Sequence, residues 1–197
     1  MSTAQQEIAL SDRKEQILLA AIEIIASKGY SELTMRAVAR ASGIKLGALQ
    51  YHFRTWEDLL RALAAYIADA YRRSWEALNL GDEEASLQSL VRFILDDPAG
   101  STLSGDDLFP QLWAMARVEP AMAEKLDELY AVYLEKLEER LTALGSHAPA
   151  ADALAIMSLL EGSTVFVGDD RRWANYADAV RDAIRELLEA RYGDWEA

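Results

Sequence analysis

Apolar residues recur at threes and fours along almost the whole chain, the spacing of a helix with one buried stripe. The first such stripe is Ile17, Leu18, Ala21, Ile24 and Ile25. It predicts a helix over 12–28, opened by a capping box of Asp12 and Glu15 and stopped by Gly29. Thr34 caps a short helix over 35–41, Ser42-Gly43 ends it, and a second short helix over 45–52 follows. Thr55 and Asp58 open a long helix to about residue 79, with Gly81-Asp82 as its break. Further helices are expected over 83–95, 107–118, 120–144, 149–167 and 173–192, and the segment 96–105 reads as the longest loop. Pro110 belongs in a first turn and Pro120 at a first helical position. No run of period two and no Asn-Gly hairpin signal interrupts the pattern. The fold class is all-α, with about nine helices.

Composition narrows the function. The chain has 197 residues and 51% hydrophobic content, enough for a sizeable core. It has no cysteine, which excludes disulfides, thiolate metal sites and cysteine nucleophiles. Two histidines, His52 and His147, leave little for a metal site. No apolar stretch is expected to span a bilayer, and the first ten residues lack a secretory pattern, so the expectation is a cytoplasmic protein with no membrane role. Adjacent carboxylates such as Glu138 and Glu139 point about 100° apart on a helix, and phosphate-loop and hydrolase motifs are absent. No catalytic residue, cofactor or metal is expected. The net charge of −13 is uneven: residues 1–54 carry +2 and residues 55–197 carry −15. An acidic body with a mildly basic N-terminal quarter follows.

Residues 34–53 have helix-turn-helix grammar. Ala39 is small where two helices cross, and Gly43 sits where the turn needs a positive φ. Val38, Ile44 and Leu49 are spaced to pack between the helices, which leaves the second one free to enter a DNA major groove. On that reading Thr34 presents helix N–H groups to a phosphate while capping, and Arg36 reaches a base or phosphate. Lys45 meets the backbone at the start of the recognition helix, followed by Leu46, Gly47 and Ala48, with Gly47 allowing close approach. Gln50 can pair with adenine or hold a phosphate, and Tyr51 can touch a thymine methyl or a phosphate.

The motif's place after one N-terminal helix, the run Gly47-Ala48-Leu49-Gln50-Tyr51-His52-Phe53, and Thr55-Trp56-Glu57-Asp58-Leu59-Leu60 resemble the TetR/AcrR family of bacterial transcriptional regulators. The resemblance covers residues 13–60, with a weaker likeness at Leu112-Trp113-Ala114 and Arg117-Val118-Glu119-Pro120. It implies that His52 contacts a phosphate. Two departures stand out: Gln50 replaces the usual Tyr, and Trp56 replaces a phosphate-binding Lys, for which Arg54 can substitute.

The resemblance also implies a homodimer on a palindromic double-stranded operator, released by a small-molecule effector. Residues 1–54 would then be the DNA-binding three-helix bundle, and 55–197 the ligand-binding and dimerisation domain. Phe109, Trp113, Tyr130, Tyr133, Met157 and Glu161 are the candidate pocket residues for a mostly apolar ligand. Glu161 has two readings there: contact with the ligand, or a pairing with an Arg across the dimer. The eighth helix carries Ala155, Ser158 and Gly162 on one face, and the ninth carries Tyr176, Val180, Ile184, Leu187 and Leu188. Pairs from two protomers would make a four-helix bundle. The rival expectation is a helical ligand carrier or adaptor that no longer binds DNA, since −13 weakens attraction to DNA.

Overall fold

The computed structural model describes residues 3–80, 85–96, 103, 108–168 and 171–193, with side chains from residue 12 onward. Among these residues there are nine α-helices of seven residues or more, two 3-10 turns and no strand. In chain order they are α1 (Thr3–Lys28), α2 (Met35–Ala41), α3 (Leu46–His52), α4 (Trp56–Ala77), α5 (Leu87–Asp96), α6 (Leu108–Ala116), α7 (Pro120–Ala143), α8 (Pro149–Val167) and α9 (Ala177–Tyr192).

Local chemistry sets most of these ends. Ahead of α4, the Thr55 hydroxyl accepts from the Asp58 N–H at 3.0 Å and the Asp58 carboxylate accepts from the Thr55 N–H at 3.1 Å. That is a reciprocal capping box, which satisfies two otherwise orphaned donors. The ends of α2, α4 and α7 share one device. Gly43, Asn79 and Gly145 take positive φ, and the next residue's N–H donates back to Ala39, Trp75 and Leu141 respectively.

Three expectations need correction. Helix α1 begins at Thr3, so Asp12 lies within it rather than at a cap; residues 3–11 are simply good helix formers. Helix α4 ends at Ala77, and Asn79 closes it at φ +53°, a left-handed conformation that an Asn can take. The last helix begins at Ala177, and Ala174–Tyr176 form a 3-10 turn before it. Finally, α8 is long and apolar enough to meet a membrane-span criterion, against the expectation that no stretch would; Asp152 and Glu161 are its only charges. The expected start at residue 83, the break at 81–82 and the loop at 96–105, apart from Asp96 and Leu103, lie outside the described residues.

Two compact units divide the chain. The first comprises residues 1–69 and 102–125, and the second residues 70–101 and 126–197. In the first, α1 packs on α2 and α6, and α2 packs on α3. Its fully buried side chains include Ile17, Ile22, Ile25, Leu49, Leu59, Leu63, Leu112 and Met115. In the second, α8 packs on α5 and α9. There Trp75, Phe93 and Tyr133 form a buried aromatic cluster, with Trp75 stacked on Tyr133 at 4.8 Å and Phe93 edge-on to both rings.

Candidate nucleic-acid interface

The reading head is built from short-range bonds. Thr34 is extended (φ −141°) and its hydroxyl accepts from the Ala37 N–H at 3.1 Å, which fixes the start of α2. At the other end Ile44 N–H reaches the Ala39 carbonyl at 2.9 Å, across the turn made by Gly43 at φ +68°. A Cβ on Gly43 would meet nothing within 4 Å. Conformation, not space, therefore requires glycine there.

Helix α3 has a single buried side chain, Leu49. Its burial anchors the helix, on the order of 1.5–3 kcal/mol for a side chain of this kind. Lys45, Gly47, Ala48, Gln50 and Tyr51 are exposed, while Leu46 and His52 are half-buried. Tyr51 is 75% exposed, a large aromatic ring left in water. Arg36 and Arg54 are also exposed, and Trp56 is half-buried at the first turn of α4. At Gly47 a Cβ would again meet nothing within 4 Å, and its φ is ordinary. Nothing inside the protein accounts for a glycine at that helical position.

Two further basic residues, unremarked in the sequence, belong to this region. Arg13 donates to the Ser42 carbonyl at 3.3 Å, tying α1 to the end of α2. Arg13 and Lys14 also act on His52. Burial chiefly, and then the charges of Lys14 and Arg13, push the His52 imidazole below its ordinary pKa. His52 Nδ1 is enclosed and makes no hydrogen bond among the described residues. The only sequence signal for this pair was their position one turn before the apolar stripe of α1.

Comparison with known proteins decides the family. Residues 17–63 match the profile of "Bacterial regulatory proteins, tetR family". An HTH-type transcriptional regulator in the dhlA 5′ region of Xanthobacter autotrophicus is 30% identical over 162 residues, 78% of each chain. The chain belongs to the TetR family. It is a helix-turn-helix, DNA-binding transcriptional regulator. The regulator BetI of Escherichia coli is 27% identical over 116 residues, which cover 57% of this chain and 59% of BetI. Among solved structures, a Rhodococcus transcriptional regulator superposes with a TM-score of 0.71 at 18% identity, covering 90% of this chain and 96% of its own. A Saccharomonospora viridis regulator in complex with choline gives 0.70 at 18% identity, covering 91% and 96%. These superpositions show the all-α fold over about nine tenths of the chain.

In this TetR-family regulator the six candidate pocket residues fall in both units. Phe109 is buried and Trp113 half-buried in the first, their rings edge-to-face at 6.2 Å. Tyr130, Tyr133, Met157 and Glu161 lie in the second. Tyr133 is 4% exposed within the aromatic cluster. The Tyr130 hydroxyl donates to Glu161 at 3.0 Å, so this carboxylate has a partner within the protomer.

The candidate dimer residues separate in the same way. Ala155, Ser158, Tyr176 and Leu187 are exposed, and Gly162 and Val180 are half-buried. Ile184 and Leu188 are instead 3% and 4% exposed, turned into the protomer's own core. One turn apart on α9, they share its inward stripe, and that stripe is already covered.

Proposed function

We propose that this regulator is a ligand-responsive repressor that binds a palindromic operator as a homodimer in the cytoplasm and is released by a small, mostly apolar effector. Residues 1–54 read DNA, and residues 55–197 carry the effector site and the dimer surface. The observation that carries the DNA-reading part is α3. One leucine holds this helix in the protein while Tyr51, Gln50 and Lys45 stand in solvent. Thr34, Arg36, Lys45, Leu46, Gly47, Ala48, Gln50, Tyr51, His52 and Arg54 form the contact set, joined by Arg13 and Lys14.

Support for effector release comes from the fold neighbour solved in complex with choline and from a multidrug binding protein, EbrR, complexed with imidazole. Support for the dimer comes from the exposed apolar residues Leu154, Leu159, Val165, Phe166, Trp173, Tyr176 and Leu187, all on α8, α9 or the segment between them. Only 22% of the apolar α8 span is buried within the protomer. A second copy is the cover such a face requires.

Gel-shift titration against the DNA upstream of the protein's own gene, at several salt concentrations, tests DNA reading. Lys45→Ala should flatten the slope of log affinity against log salt by about 1.8, one neutralised phosphate for each protomer of the dimer. Tyr51→Ala should weaken binding by about 1–3 kcal/mol. Wild-type behaviour in both variants would place the DNA surface elsewhere, whereas no salt-dependent binding by the wild type itself would favour a ligand carrier without DNA binding.

A further inference from the structure

In the second unit, a cleft between α5 and α9 is lined by Arg92, Arg181 and Arg185 together with Val91, Leu95 and Asp96. Three guanidinium groups at one cleft are unexpected in a strongly acidic chain of net charge −13. Their mutual repulsion opposes the arrangement unless anions offset it.

The protein supplies part of that offset. Arg181 donates to the Asp96 carboxylate at 2.8 Å and to the Leu95 carbonyl at 3.0 Å, so its plane is fixed from two sides. Arg185 pairs at 2.9 Å with Asp182, one turn back on α9. Arg92 has neither hydrogen bond nor ion pair among the described residues, although it lines this cleft and the neighbouring one beside Phe93. Within the lining, three cations therefore face one carboxylate, Asp96. Beside them half-buried Leu95, underlain by Val91 at 2% exposed, makes an apolar strip next to the cationic fork.

We infer that this cleft binds a short-chain organic carboxylate, its oxygens held by Arg92 and its neighbours and its aliphatic tail laid on Leu95. Guanidinium groups match carboxylate geometry in a two-bond fork, and the strip beside them suits a carbon chain better than a second charge. The site shares no residue with the proposed effector group, so it stands or falls separately from that reading.

The test follows the arginine Nε–H signals of the full-length protein by NMR during titration with butyrate, at ionic strength matched with sodium chloride. Butyrate should shift the Arg92, Arg181 and Arg185 signals saturably. Arg92→Gln should weaken that binding at least tenfold while leaving the melting curve unchanged, since Arg92 is exposed and has no partner among the described residues. Arg92→Lys, which keeps the charge but loses the fork, should fall between. Butanol should give no shift of these signals. The inference is overturned if butyrate gives no saturable shift, if Arg92→Gln binds it as wild type does, or if butanol shifts the same signals equally. Tighter binding of inorganic phosphate than of butyrate would overturn the aliphatic-carboxylate assignment in favour of a simple oxyanion site.

Discussion

His52 shows how a single residue's chemistry is set by its surroundings. Burial and the charges of Lys14 and Arg13 disfavour its protonated form, so its folded-state pKa lies below the unfolded value. The unfolded chain then binds more protons in the window between the two values. Stability is complete above the unfolded value near 6.5 and is lost as pH falls through the folded one. On the proposed reading, an operator phosphate beside His52 would reverse the local field and raise the same pKa, so that binding would take up a proton. Operator affinity should therefore rise as pH falls from about 8 toward 6, and this rise should shrink in His52→Gln. Anisotropy titrations across that range, with both proteins at constant salt, measure the difference. Equal pH profiles would remove His52 from the phosphate set.

At the next scale up, helix boundaries carry the stability of individual elements. Helix α4 depends on a capping box in which Thr55 and Asp58 satisfy each other's N–H groups. Thr55→Ala removes one half of it and should cost about 1 kcal/mol. Thr55→Ser, which keeps the oxygen, should retain most of the stability. Urea unfolding followed by circular dichroism reads both, with the midpoint shifting and the slope unchanged. Elsewhere in the first unit, the Tyr30 hydroxyl donates to Glu119 while the Tyr30 N–H meets Gln111 Oε1 at 3.4 Å. Burial first, and then Glu119, raise the pKa of that phenol. It therefore remains a donor throughout the working pH range. Tyr30→Phe leaves Glu119 without this donor and should lower the urea midpoint, by on the order of 1–3 kcal/mol; an unchanged midpoint would show that water replaces the phenol without loss.

For the whole molecule, the exposed apolar surface of α8 and α9 makes assembly the central question. Leu187 is 60% exposed, whereas Ile184, less than one turn away, is 3% exposed. Leu187→Glu should leave the protomer folded, shift the molecule toward monomer and lower operator affinity, although α3 is untouched. Ile184→Glu should unfold the protomer itself, because it buries an unpaired charge. Light scattering, melting curves and gel shifts on the two variants separate these outcomes. A full-strength Leu187→Glu dimer would move the interface off this face.

Local features were legible in the sequence because the forces that make them act over a few residues. The turn at Gly43, the Thr34 and Thr55 caps, the one-leucine anchoring of α3 and the Pro120 start each depend on hydrogen bonds or φ preferences within about one helical turn. The helix-turn-helix and its exposed face follow from them, whereas the family rests on the likeness of the sequence to known regulators. Periodicity, however, shows that a helix has an apolar stripe without saying what covers it. Only packing decided that Ile184 and Leu188 turn inward, that Tyr133 joins Trp75 and Phe93, and that Glu161 takes the Tyr130 hydroxyl. The same holds for pairs formed far along the chain: Tyr30 with Glu119 across 89 residues, Arg181 with Asp96 across 85. Such pairs depend on which helices lie side by side, and that choice is made by the summed burial of many stripes at once rather than by any one segment.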